Sequence, residues 1–158
     1  MCGRFTLTVD PAELKDAFGD FIFPEKFAPR FNIAPTQPVL AIPNDGKNKA
    51  DFFLWGLIPS WSKDPAIANK LINARGETIA EKPSFRGGFK YKRCLILADG
   101  FYEWRKTPNG KQPYRILLKN DEPFAFAGIW DSGADNHGEI MPVFAIITVN
   151  ANKEMSPI

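Results

Sequence analysis

The chain of 158 residues is poor in the residues that build metal centres and disulfide scaffolds. It holds two cysteines, Cys2 and Cys94, and a single histidine, His137. That is too few for a disulfide framework or a Cys-rich zinc site, so no metal and no cofactor is expected. A charge imbalance is lacking too. Twenty Lys and Arg stand against eighteen Asp and Glu, a formal net charge of +2, so any surface for a polyanion has to be a local patch. No window nears the roughly 18 consecutive apolar residues of a membrane span. The first residues, MCGRFTLT, carry Arg4 and no apolar run of signal-peptide length behind it. These absences point to a cytoplasmic protein with no membrane partner. P-loop, dinucleotide fingerprint, GxSxG elbow and HExxH are missing as well, and there is no internal repeat or low-complexity tract.

What is present suits one globular domain. Apolar residues make up 44% of the chain, with 14 Phe and 4 Trp, and a chain of this length can bury about two-thirds of its unfolded surface without staples. Gly3 to Thr8 suits a first strand. Asp10-Pro11-Ala12-Glu13 then sets an N-cap, a proline at the first helical position and an acid at N3 before the stripe Leu14, Ala17 and Phe18, which predicts a short helix. Phe21 to Pro38 has four prolines and no period, so it is expected to be an ordered loop with an extended piece at Phe31 to Ile33. Val39 to Ile42 and Phe52 to Trp55 flank the turn Asn44-Asp45-Gly46-Lys47 and predict a β-hairpin. Helical turns are expected at Pro65 to Leu71 and Glu77 to Lys82. From Cys94 onward the pattern is β: Cys94 to Ala98, Phe101 to Lys106, Tyr114 to Lys119, Phe124 to Trp130 and Val143 to Val149. The last residues, ANKEMSPI, begin a helix or turn. The whole predicts an α+β domain on a curled, mainly antiparallel sheet or barrel with a few short helices.

Few residues are candidates for chemistry. Removal of the initiator Met would make Cys2 an N-terminal aminothiol, whose amine can form a Schiff base with an aldehyde and whose thiol can close onto it as a thiazolidine. An α-amine has a reference pKa of about 7.7–8.0, so a useful fraction is nucleophilic near neutrality. The plainer alternative is a small apolar residue at a frayed end. Glu103 follows an apolar strand among aromatics and suits proton donation and acceptance. In a period of two, Phe101, Glu103 and Arg105 share a face opposite Tyr102 and Trp104, and an outward Glu paired with a neighbouring cation fits that pattern equally. Asn73 could orient a reacting group and Arg75 could hold a phosphate, unless they are a turn Asn and a surface Arg.

From Lys82 to Arg93 the chain has five cations, Arg86 among them, no acid, and the rings Phe85, Phe89 and Tyr91. Cations and stacking rings suit a single-stranded nucleic-acid groove, and a solvated basic loop anchored by its aromatics fits as well. Trp61, on a proline-broken loop, is a stacking platform or a core plug. His137 lies in a polar turn and Cys94 starts an apolar strand, so neither is expected to be catalytic.

The segments MCGRF, RFNIAPTQ, WGLIPSW, LINARGET, KRCLILADGFYEW and PVFAIITVNAN together resemble the SOS-response-associated peptidase (SRAP) family of abasic site processing proteins, over nearly the whole chain. The resemblance implies a compact α+β domain with a barrel-like β core. It implies that the mature N-terminal Cys2 crosslinks to the ring-opened aldehyde of an abasic site in single-stranded DNA, shielding the lesion. Asn73 would position the Cys2 amine and thiol, and Glu103 would be the acid and base. Arg4 and Arg75 would hold flanking phosphates, with Asn32, Pro35 and Trp61 lining the DNA path. Family members continue past the SPI segment with a catalytic His. Residues 1–158 are thus expected to be one SRAP domain truncated at its C-terminus, and a monomer. Two other readings stay open: an N-terminal-cysteine peptidase acting mainly on itself, and a non-catalytic single-strand binder.

Overall fold

The computed structural model describes residues 2–158. Strand β1 (Phe5–Leu7) leads into α1 (Pro11–Phe18), followed by β2 (Arg30–Ile33), β3 (Pro38–Pro43) and β4 (Asp51–Trp55). A 3-10 turn (Pro65–Asn69) precedes β5 (Asn73–Arg75) and α2 (Pro83–Tyr91). The remainder is β: β6 (Arg93–Ala98), β7 (Gly100–Thr107), β8 (Gly110–Ile116), β9 (Phe124–Ala134) and β10 (Ile140–Thr148).

The larger sheet runs β4-β3-β6-β9-β10-β5, and a further pairing of β10 with β4 closes five of its strands into a barrel. The closing pair is parallel, Val143 opposite Leu54 and Phe144 opposite Trp55. Trp55 and Phe144 are buried on the inside, where their rings stack at 6.3 Å and Phe5 packs 5.0 Å from Trp55, while Val143 and half-buried Leu54 face the other way. Phe5 belongs to the smaller sheet, ordered β2-β1-β7-β8, so the chain's first strand plugs into the barrel core through its side chain. A second apolar cluster, including Leu57, Ile79, Phe85, Ile129 and Ala145, lies under α2 and β5.

The helix at Pro11 forms as its cap predicts: Asp10 accepts from the Glu13 amide at 2.9 Å, and the Glu13 carboxylate accepts from the Asp10 amide at 2.9 Å, a complete capping box. The hairpin β3–β4 and the β-rich second half also stand as expected, and the antiparallel, barrel-like α+β core is borne out.

Three departures matter. The basic strip from Lys82 is a helix, α2, rather than a loop, started by Pro83 and anchored by buried Phe85. Its paired glycines mask the helical signal. At one of them the helix closes on the barrel, because a Cβ on Gly88 would stand 3.2 Å from Ile129 Cβ. Asn73 to Arg75 is a strand, parallel to β10. The β7–β8 hairpin is offset, with β8 running from Gly110 to Ile116 rather than from Tyr114 to Lys119.

Gly56, just after β4, has φ +139° and donates from its amide to the Phe144 carbonyl at 2.9 Å. A Cβ there would meet the Ala68 carbonyl oxygen at 2.8 Å, so both backbone and space require glycine. No helix among the described residues is long and apolar enough to cross a membrane.

Candidate active site

Cys2 is not a frayed terminal residue. It is 7% exposed and packs into the barrel-end cluster with Phe5 and Ile146. Its thiol points at the Arg4 carbonyl oxygen, 3.8 Å away, which also accepts from the Tyr102 amide at 2.8 Å. Burial, with the nearby Glu103 carboxylate adding to it, pushes the Cys2 thiol up to about 12. The thiol is therefore protonated at neutral pH.

Two strands from different sheets bring the partners. On β5, alternation turns Ala74 into the second core cluster and puts Asn73 and Arg75 on the other side. Asn73 Nδ2 donates to the Cys2 carbonyl oxygen at 2.9 Å. Its Oδ1 is buried with no hydrogen-bond partner among the described residues. The strand is fixed at this height by Ile72, whose carbonyl accepts from the Trp55 indole at 2.9 Å and the Ile146 amide at 3.0 Å. On β7, Phe101 packs against Phe124 and Phe126, while Tyr102 and Trp104 pair on the opposite face with ring centroids 6.4 Å apart. The same alternation aims half-buried Glu103 to the side of Phe101, close enough for its charge to act on the Cys2 thiol.

Arg4 Nη1 donates to Asn32 Oδ1 at 2.9 Å, so those two candidates form one group beside Cys2. Pro35 lies in the turn after β2, beside Thr36, whose amide donates to the Trp55 carbonyl at 2.8 Å. Arg75 is exposed and pairs across the sheet with Thr148. Trp61 and Arg86 belong to a different surface. Trp61, 61% exposed, lines a cleft of about 190 Å³ with Gly87, Gly88 and Tyr91. Arg86 lines a neighbouring cleft of about 510 Å³ that shares Gly87 and Tyr91. His137 sits exposed in the turn before β10, its amide bonded to Asp135 at 2.7 Å, and Cys94 is buried in β6, as the sequence suggested. No cluster of metal-ligating side chains occurs among the described residues.

Asp99 is a supporting residue that sequence reasoning missed. Its carboxylate, 3% exposed, accepts from Thr6 Oγ1 at 2.5 Å, Thr8 Oγ1 at 2.6 Å and the Val9 amide at 3.1 Å, and from the Thr8 amide. Arg115 Nη2 lies 3.4 Å away. These bonds pin β1, and with it Cys2, onto the β6–β7 junction. Burial alone would raise the Asp99 carboxyl, but the hydrogen bonds from Thr6, Thr8 and Val9 outweigh it and hold the group below its usual value. The only signal in the sequence was a lone Asp-Gly closing an apolar strand, which reads equally as a turn.

The profile of the family described as SOS response associated peptidase (SRAP) matches residues 1–158. The chain belongs to the SRAP family. As an SRAP protein it is 45% identical over 162 residues to the abasic site processing protein YoqW of Bacillus subtilis, covering 100% of this chain and 72% of that relative. It is 30% identical over 200 residues to the abasic site processing protein HMCES of Xenopus tropicalis, covering 99% of this chain and 60% of that longer relative. A solved crystal structure of a protein from Bacteroides thetaiotaomicron superposes on the SRAP chain with a TM-score of 0.84 at 29% identity, covering 99% of this chain and 72% of that one.

Proposed function

We propose that this SRAP domain processes abasic sites in single-stranded DNA by capturing the lesion's aldehyde on Cys2, with Met1 removed. Asn73 carries the reading. Its Nδ2 grips the Cys2 carbonyl at 2.9 Å while its Oδ1 stays buried and unpartnered among the described residues. A buried acceptor without a donor is costly, and the free α-amine of Cys2 is the donor that would meet it. The names of the YoqW and HMCES relatives agree.

The chemistry follows from the two nucleophiles of an N-terminal cysteine. The amine attacks first: nitrogen adds to the aldehyde carbon, water leaves and an imine forms. The sulfur then adds to the imine carbon. Glu103 takes the thiol proton and returns it to the ring nitrogen, giving a thiazolidine with one water as the only by-product. Arg4 with Asn32, Pro35 and Arg75 would carry the strand past Cys2. Trp61 and Arg86, with the clefts they line, would hold its continuation by stacking and phosphate contact.

The test is an adduct between the protein and an abasic single-stranded oligonucleotide that survives denaturing electrophoresis. Wild type forms it and Cys2→Ala does not. No adduct with wild type, or equal yield from the variant, overturns the proposal.

A further inference from the structure

We propose that the outer half of the β7–β8 hairpin is an arm that binds the phosphates of the DNA strand running past Cys2. This rests on the function proposed above, which supplies the strand, and assigns it a surface that none of the candidate DNA residues covers.

The charge distribution points there. Between Trp104 and Asn120 the chain carries Arg105, Lys106, Lys111, Arg115 and Lys119 and no acid. Trp104 through Arg115 are all exposed. Lys106 stands directly opposite Lys111 in the register of the hairpin, a like-charge pair that weakens a two-stranded ribbon. Among the described residues β8 pairs only with β7, and such a ribbon is marginal when nothing covers it. Arg115 is engaged at the base with Asp99 and Thr6. Arg105, Lys106 and Lys111, by contrast, form no ion pair among the described residues. A fold that accumulates unpaired cations against its own stability suits a polyanionic partner.

The register ties the arm to the site. Tyr114 faces Glu103 across the hairpin, on the same side of the ribbon. Arg105 lies two residues beyond Glu103 on that side, about 7 Å along the strand. A strand whose lesion reaches Glu103 therefore meets a ring and then a cation, a pairing that stacks a base and neutralises a phosphate without reading sequence.

The test is fluorescence-anisotropy binding of an undamaged single-stranded oligonucleotide over a salt series, beside crosslink yield with saturating abasic DNA. Replacing Arg105, Lys106 and Lys111 together by Ala should weaken binding about 10-fold or more at low salt. It should also reduce the slope of log K against log salt by about 2, since each single-strand phosphate contact contributes about 0.7. Crosslink yield at saturation should not change. Lys111→Glu, which gives Lys106 an opposite charge, should keep or raise Tm while weakening binding, a combination that damage to the fold cannot produce. Wild-type affinity and slope in the triple variant, or weaker binding with an unchanged slope, overturn the arm alone. A wild-type protein that neither binds nor crosslinks overturns the proposed function and the arm with it.

Discussion

Asn73 and Cys2, 71 residues apart in sequence, are joined by a 2.9 Å hydrogen bond from the Asn73 side-chain amide to the Cys2 carbonyl oxygen. The bond exists because β5 runs parallel to β10 beside the barrel while β1 enters from the other sheet. The site therefore sits where two sheets meet, and its geometry depends on both.

Asn73→Ala should slow crosslinking by about 100-fold, the usual cost of misplacing a reacting group by an ångström or so. DNA affinity should stay near wild type if Asn73 acts as proposed, on the Cys2 carbonyl it bonds and not on phosphate. Single-turnover crosslinking rates at saturating DNA, with binding measured separately, check this.

Glu103→Gln should slow ring closure by about 100-fold or more, in the range of lost general acid–base catalysis. In the proposed sequence the imine forms before that step, so cyanoborohydride should trap it in the variant at near wild-type yield. Failure to trap an imine would remove Glu103 from the second step.

Much of the architecture was legible locally. The capping box at Asp10, the β3–β4 hairpin and the alternation of β7 are each written in a few adjacent residues. The parallel pairings of β10 with β4 and β5 were not, because no local turn specifies them, and α2 was hidden by Gly87 and Gly88. At the site, residue types at Cys2, Asn73 and Glu103 suggested chemistry only together with a family resemblance. Period alone left Glu103 undecided between outward and inward roles. The role of Asp99 was invisible, because its donors lie about 90 residues upstream at Thr6, Thr8 and Val9.

Asp99→Ala should destabilise the fold by about 3 kcal/mol or more, since it strands several buried donors and the Arg115 charge. The pH dependence has a definite sign. A carboxyl held below its usual value contributes stability above the ordinary carboxylate range and loses it as pH falls through the folded value. Asp99→Asn should therefore be less stable than wild type at neutral pH and lose less on acidification below about pH 4. Urea unfolding at several pH values measures both.

Both buried thiols, Cys2 and Cys94, are pushed from 9.0 up to about 12 by burial. The unfolded chain releases these protons first, so stability is full below about pH 9 and falls as pH rises toward about 12. The slope from two thiols reaches at most about 2.7 kcal/mol per pH unit. The double variant Cys2→Ala, Cys94→Ala should show a shallower alkaline decline by denaturant titration.

Gly56→Ala should cost about 2 kcal/mol or more, combining a disfavoured φ with contact against a backbone carbonyl that cannot turn away. A lowered Tm with an otherwise two-state transition is the expected result.

The central claim is that Cys2 reacts through both its amine and its thiol. Peptide mass spectrometry of the digested adduct with abasic single-stranded DNA tests it most directly. The account predicts an N-terminal peptide that begins at Cys2, has gained the sugar fragment with loss of one water, and has no thiol left to alkylate. An adduct on a peptide still carrying Met1, or one whose Cys2 thiol remains free to alkylation, would contradict it.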